Sequence, residues 1–240
     1  MSCDTDTERR GAFITLEGID GCGKTTQAAL LADALERGGR EVVRLREPGG
    51  TRISEKIRSI LLDPENGEMA DECELLLYEA ARAQLVRQVI EPALDRGAVV
   101  VCDRFYDSTY AYQAAGRALD EALVDRCNEL GCCGVHPTRT IVLDLDVSCA
   151  LGRATKDGAD RLEAEGVAFQ ERVREGYLRL ATREADRVRL LDAMGSPDEV
   201  EARIARALSD LFPFLSDAAS DAAADAVADA AAAVGEVGHA

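Results

Sequence analysis

Gly18, Gly23, Lys24 and Thr25 stand at the spacing G-x-x-x-x-G-K-[ST]. That pattern suits phosphate. Glycines let successive backbone N–H groups close on phosphate oxygens where a side chain would block the approach. The helix that follows turns unsatisfied N–H groups and the positive end of its dipole toward the same anion. Lys24 adds a point charge at the β- and γ-phosphates, and the Thr25 hydroxyl is suited to ligate Mg²⁺. The expected cradle for a nucleotide is therefore Gly18, Ile19, Asp20, Gly21, Cys22, Gly23, Lys24, Thr25 and Thr26. A second signal is Val99-Val100-Val101-Cys102-Asp103-Arg104, a buried strand running into a charged pair. A strand-tip carboxylate in that arrangement holds Mg²⁺ or its water. Arg153, Lys156 and Arg161 surround Gly158 and read as a mobile flap over phosphate.

These groups need a frame. Ala12–Glu17 is a strand, and a helix follows the glycine loop to about Arg37. Its Ala28, Leu31, Ala32 and Leu35 share one face, and Gly38-Gly39 stops it. Glu41–Arg46 is the second strand. Strand, loop, helix and strand make one βαβ unit, so the sheet is parallel and the fold is doubly wound α/β. Arg46–Arg52 is a turn at the carboxyl end of the second strand, the edge where open parallel sheets bind ligands.

Ile53–Leu62 predicts a short helix and Asp71–Asp95 a long one, with Tyr78 and Arg82 four apart along one face. Phe105–Gly116 carries Ser108, Thr109, Tyr112 and Gln113, too polar for a purely structural segment. Further helices are expected over about Glu121–Leu130, Phe169–Glu184 and Pro197–Leu211, the last with Ser196 as N-cap. Thr140–Asp146 and Arg187–Leu191 complete five strands.

With 240 residues, 47% of them hydrophobic, the chain suits one large α/β domain. Its net charge of −17 comes without a basic block, which argues against a nucleic-acid partner. Phosphates must then be held by a few local cations. No run of eighteen apolar residues suggests a membrane span, and the first eleven residues lack a signal peptide's apolar core. A cytoplasmic protein with reduced thiols is expected from these features. Cys127-x4-Cys132-Cys133-x2-His136 contains metal-ligating residue types. It lacks C-x-x-C pairs and closes a helical stretch at a Gly-rich turn, so it reads as structural. Residues 1–11 read as a disordered leader, 12–212 as the folded domain, and 213–240 as an Ala/Asp-rich disordered tail.

Four blocks occur in order: Glu17 to Gln27 around the phosphate loop, Arg46-Glu47-Pro48-Gly49-Gly50-Thr51, Ala80-Ala81-Arg82-Ala83-Gln84, and Asp103 to Gln113. Together they resemble the bacterial-type thymidylate kinases, a family of P-loop nucleoside monophosphate kinases. The resemblance implies a three-layer α/β/α P-loop NTPase fold with a five-stranded parallel sheet and a LID flap at about 153–165. It implies phosphoryl transfer from ATP to dTMP, Mg²⁺ as cofactor and a homodimer.

The resemblance also implies residue roles. Asp20 would lie near the deoxyribose 3′-hydroxyl and in the magnesium shell, with Thr25, Asp103 and Glu163. Arg52 and Arg104 would grip the acceptor phosphate, with Ser108 beside them in the substrate site. Tyr78 stands where the family usually stacks Phe on thymine. Arg82 would donate to a thymine carbonyl, and Thr109 or Gln113 would read the opposite base edge. Tyr112 would crowd a ribose 2′-hydroxyl, and Glu47-Pro48 matches a peptide commonly cis in the family. Gly21 replaces the loop Arg of eukaryotic-type enzymes, so Lys24 and Arg104 would be joined in catalysis by flap cations, among them Arg153 and Arg161. Rival readings are another nucleoside monophosphate or deoxynucleoside kinase, and a P-loop switch module without an acceptor.

Overall fold

No residue of β1 (Phe13–Glu17) is exposed, as a central strand covered on both faces requires. The computed structural model describes residues 10–153, 161–162 and 165–216. In it β2 (Val42–Arg46), β3 (Val99–Asp103), β4 (Arg139–Asp144) and β5 (Val188–Asp192) join β1 in one sheet. The order is β2-β3-β1-β4-β5, and all four pairings are parallel. Edge strands β2 and β5 are partly exposed, whereas β3 and β4 are almost wholly buried.

Side-chain alternation divides the core. Ile14, Leu16, Val99 and Val101 pack in one cluster with Leu31 and Leu35 of α1 (Lys24–Arg37). Phe13, Val100 and Cys102 face the other way, toward the end of α3 (Asp71–Leu85). Helices thus cover both faces of the sheet, the three-layer arrangement expected.

The long helix expected over Asp71–Asp95 is continuous but changes pitch. After α3 comes a π-helical turn, Val86–Ile90, and then α4 (Glu91–Asp95). Pro92 has no N–H for the Gln88 carbonyl, so the ordinary i→i−4 ladder is interrupted where the pitch widens. A second π-helical turn, Tyr110–Gly116, follows α5 (Tyr106–Thr109). The remaining helices are α2 (Arg52–Leu62), α6 (Glu121–Gly131), α7 (Val147–Arg153), α8 (Val167–Arg183) and α9 (Pro197–Ala207). Ser196 and Glu199 cap α9 reciprocally, with Pro197 at its first position.

The chain ends differ from expectation at their margins. Gly11, assigned to the leader, donates its N–H to Leu94 O at 2.8 Å. Leu215, assigned to the tail, is 3% exposed in the core. Phe214 and Leu215 supply the apolar bulk that the Ala/Asp-rich stretch lacks, so the fold extends past 212. Residues 1–9 and 217–240 lie outside the described residues, as do Lys156, Asp160 and Glu163. Among the described residues, no helix is long and apolar enough to cross a membrane.

Candidate active site

β1 delivers the phosphate loop to the start of α1 at the carboxyl edge of the sheet. Gly18 has φ 139°, and a Cβ there would stand 2.6 Å from Leu143 O. Gly21 has φ 80°, and its Cβ would meet Ala150 O at 2.2 Å. An Arg at position 21 would therefore collide with α7 in its present place. Gly23 caps α1 in left-handed backbone with no side-chain bond of its own, which leaves the helix N–H groups facing the loop. Lys24 is folded into the loop, its Nζ 2.7 Å from Ile19 O.

β3 brings Asp103 alongside. Thr25 Oγ1 donates to Asp103 Oδ2 at 2.6 Å. Asp103 Oδ1 is buried without a hydrogen-bond partner among the described residues. The next residue, Arg104, has φ 70°, an uncommon conformation for a side-chain-bearing residue and one that clusters at functional sites. That backbone turns the Arg104 guanidinium over the loop. It bonds the Asp20 carboxylate, Gly18 O and Ser108 Oγ, the last two at 3.2 Å. Its Cζ lies 4.9 Å from the centre of the Tyr112 ring.

Asp20 accepts from Tyr112 OH at 2.9 Å and from Gln170 at 3.4 Å, besides Arg104. Burial opposes its ionisation, yet Arg104 and then Lys24 outweigh it and hold the carboxyl below its ordinary range. Both oxygens accept hydrogen bonds, Oδ1 from Arg104 and Oδ2 from Tyr112 and Gln170, so Asp20 clamps Arg104 over the loop.

Beneath the loop, Glu17 accepts from Phe105 N, Ser108 Oγ and Tyr177 OH. Burial, reinforced by Asp107, pushes its carboxyl up to about 7. Neither Glu17 nor Tyr177 is marked by motif spacing; the one local signal for Glu17 is a carboxylate in an otherwise apolar strand.

The opposite wall is built on α3. Arg82 is 1% exposed and spreads its fork over four groups. Nε donates to Glu47 at 2.9 Å, Nη1 to Glu79 at 2.5 Å and Asn128 at 3.4 Å, and Nη2 to Thr109 at 3.0 Å. The expected cis peptide at Glu47–Pro48 is present. Burial carries the Glu47 carboxyl up to about 7 despite Arg82 beside it. Gln113 donates to Glu74 at 2.7 Å.

Glu74, itself 0% exposed, also receives Arg117 and Arg161. Arg161 gives its Nε to Leu61 O at 3.0 Å. This cation, expected over phosphate, is thus docked against α2 and α3, and it does not line the phosphate cavity.

That cavity holds about 780 Å³ and is walled by the phosphate loop on one side and by Tyr78, Arg82, Thr109 and Gln113 on the other. Ser108, Tyr112, Arg104 and Arg153, also among the expected residues, lie on its wall. Arg52 is exposed at the start of α2 and is not on the wall. Arg46 and Arg58, from the same region, are on it, and Arg58 Nη1 bonds Pro48 O at 2.9 Å. Residue 58 lies about one and two-thirds helical turns beyond 52, so motif spacing alone does not distinguish which cation faces inward.

One cavity therefore joins an anion cradle to a buried polar floor. Comparisons with known proteins agree with that geometry. The family model for thymidylate kinase matches residues 16–204. The thymidylate kinase of Desulfosudis oleivorans is 51% identical, over 82% of this chain and 95% of the relative. That of Trichlorobacter lovleyi is 46% identical, over 82% of this chain and 95% of its own length. A solved structure, the thymidylate kinase from Ehrlichia chaffeensis, superposes with a TM-score of 0.64 at 36% identity, covering 76% of this chain and 93% of that one. With this phosphate loop, this strand order and these relatives, the chain belongs to the thymidylate kinase family.

Proposed function

We propose that the protein transfers the γ-phosphoryl group of ATP to dTMP, giving ADP and dTDP. The observation that carries this reading is the single cavity shared by Lys24 and the Arg82–Thr109–Gln113 floor. An acceptor-phosphate oxygen attacks the γ-phosphorus in line, and the oxygen bridging to the β-phosphate leaves with the bond's electrons. The acceptor is already ionised, so no strong general base is needed. Two anions must be brought together, which makes cations and positioning the principal devices.

Backbone N–H groups from Gly18 to Thr26 and the Lys24 ammonium hold the donor phosphates. Arg104, set by Asp20 and Ser108, faces the meeting point of the two substrates. Arg153 sits at the base of the flap on the cavity wall and is placed to reach the donor. Arg161 anchors the flap's end on Glu74. Arg58 and Arg46 are the wall cations nearest the role expected of Arg52. Tyr78 offers its ring to the base, Arg82 its polar edge, and Tyr112 narrows the space beside the sugar.

Mg²⁺ would neutralise charge on the transferring phosphates. The Thr25 hydroxyl and the Asp103 carboxylate fit such an ion, because the partnerless Oδ1 of Asp103 is a buried acceptor awaiting a donor or cation. Glu163, also expected here, lies outside the described residues.

An ADP-release assay across dTMP, dUMP, dCMP, dGMP, AMP and thymidine, with and without Mg²⁺, tests the assignment. We expect turnover to be highest with dTMP and to vanish with chelation. ATP consumption indifferent to acceptor would overturn it in favour of a switch module.

We further infer a cytoplasmic homodimer. The seven described cysteines are all free thiols, which suits a reducing compartment. Neighbouring helices α2, α3 and α6 expose Ile53, Ile60, Leu76 and Leu130, the last two at 59% and 78%, an apolar face suited to a second copy. Sedimentation equilibrium should give a dimer for the parent and a monomer for Leu76→Glu with Leu130→Glu. A parent that sediments as a monomer would refute the pairing.

A further inference from the structure

Helix α6 ends in a turn that brings together three donors the kinase chemistry leaves unused. Cys132 caps the helix, and Val135 N bonds back to Cys132 O at 2.8 Å. Cys133 (φ 53°) and Gly134 (φ 80°) are both left-handed, so the chain reverses sharply and returns His136 over the last helical turn. Pro137 follows, and Thr138 N then bonds Phe13 O at the entry to β4. His136 is thereby held from both sides.

We propose that Glu129, Cys132 and His136 form a binding site for a zinc-class divalent cation. Each offers one donor atom, and the three donors lie within 4.8 Å of one another. His136 Nε2 is 3.9 Å from Glu129 Oε2. A tetrahedral ion with bonds of about 2.0 to 2.3 Å needs donor separations of about 3.3 to 3.7 Å. The arrangement must therefore tighten by about 1 Å. Glu129 and His136 have side chains 69% and 45% exposed, so rotation of these two supplies that movement. Cys132 is buried and remains the fixed ligand.

The imidazole is oriented for this task. Tyr106 OH lies 3.4 Å from His136 Nδ1, and the two rings meet edge to face at 5.9 Å. An Nδ1–H given to the Tyr106 hydroxyl leaves Nε2 bare toward the metal, the outer-shell arrangement that metal-binding histidines use. Cys132 releases its thiol proton to solvent as the Sγ–metal bond forms, and a water fills the fourth position. Thiolate and imidazole select zinc over Mg²⁺ or Ca²⁺, so the ion used with ATP does not compete here. None of the three residues lines the nucleotide cavity.

The test uses full-length protein stripped by chelator. Zn²⁺ is titrated against a chromogenic competitor, and Co²⁺ is added separately to read the thiolate-to-cobalt charge-transfer band. We expect one equivalent bound by the parent, and affinity lowered about 100-fold in His136→Ala and in Cys132→Ser. The cobalt band should disappear in Cys132→Ser and persist in Cys73→Ser and Cys149→Ser, whose thiols are exposed. His136→Ala changes an exposed ring and keeps the result readable should the buried serine disturb folding. No zinc retained by the parent against the competitor, unaltered affinity in His136→Ala, or loss confined to Cys133→Ser would each overturn the assignment.

Discussion

Lys24→Ala is expected to lower kcat by about 10²- to 10³-fold, the usual cost of deleting one donor aimed at charge that develops in the transition state. Stability should scarcely change. In the folded chain Lys24 is only 6% exposed, yet its ammonium has no carboxylate partner among its hydrogen bonds, reaching Ile19 O at 2.7 Å and Cys22 Sγ at 3.8 Å. Removing it takes one of two cations from beside Asp20, but Arg104, the larger influence, stays bonded to that carboxylate. The two measurements are dTMP-dependent ADP release and a thermal melt. A variant whose turnover stays within about threefold of the parent would show that the loop binds nucleotide without taking part in transfer. A collapsed melting temperature would instead make the lysine structural. Arg104→Met should also slow turnover, but it frees Asp20 and Ser108 as well, so its loss is a poorer measure of charge alone.

The parts of this site that were legible in the sequence are the parts written locally. The loop from Gly18 to Thr25, the Asp103–Arg104 pair and the Ser108–Gln113 block each keep their chemistry within a dozen residues. Their element types follow from strand and helix periodicity. What the sequence left unread is the set of partners brought together by topology. Tyr177 meets Glu17 across 160 positions, and Gln170 meets Asp20 across 150. Glu74 is one acid among several on α3, and no local pattern marks it, yet it gathers Gln113, Arg117 and Arg161. Arg161 was expected to act over phosphate because cations beside a glycine suggest a flap. It is docked on a carboxylate that no local pattern could identify. Arg52 and Arg58 differ by helical phase, and only the packing of α2 decides which one faces the cavity. The Cys132–His136 turn is the converse case. Spacing argued against a metal site by the absence of C-x-x-C pairs, whereas left-handed backbone at Cys133 and Gly134 folds an i, i+3, i+7 set into one cluster.

Arg82 combines the largest stability effect with a substrate effect, and pH separates the two. Its guanidinium is the cation shared by Glu47 and Glu79, all three nearly inaccessible to solvent. Arg82→Met leaves two buried carboxylates without it, a change that typically costs about 3 to 5 kcal/mol. Glu47 already has its carboxyl raised to about 7 by burial, with Arg82 opposing the rise. Without that opposition it rises further, and Glu79 rises with it. A carboxyl raised in the folded state favours folding at low pH, and that contribution is lost as pH climbs through the folded value. The deficit of Arg82→Met measured by urea unfolding should therefore be smaller at pH 6 than at pH 8.5. Adding Glu47→Gln should recover part of it at the higher pH. Arg82→Lys should not restore the parent, because one ammonium cannot reach Glu47, Glu79 and Thr109 together as the planar fork does. Acceptor KM is read separately, at pH 6, where more of the variant is folded. It should rise about tenfold if one hydrogen bond to the base is lost, since about 1.4 kcal/mol is a factor of ten. A deficit equal at both pH values would mean that the two carboxylates remain compensated by some other group. An unchanged KM would remove Arg82 from the base-reading floor and leave it a purely structural cation.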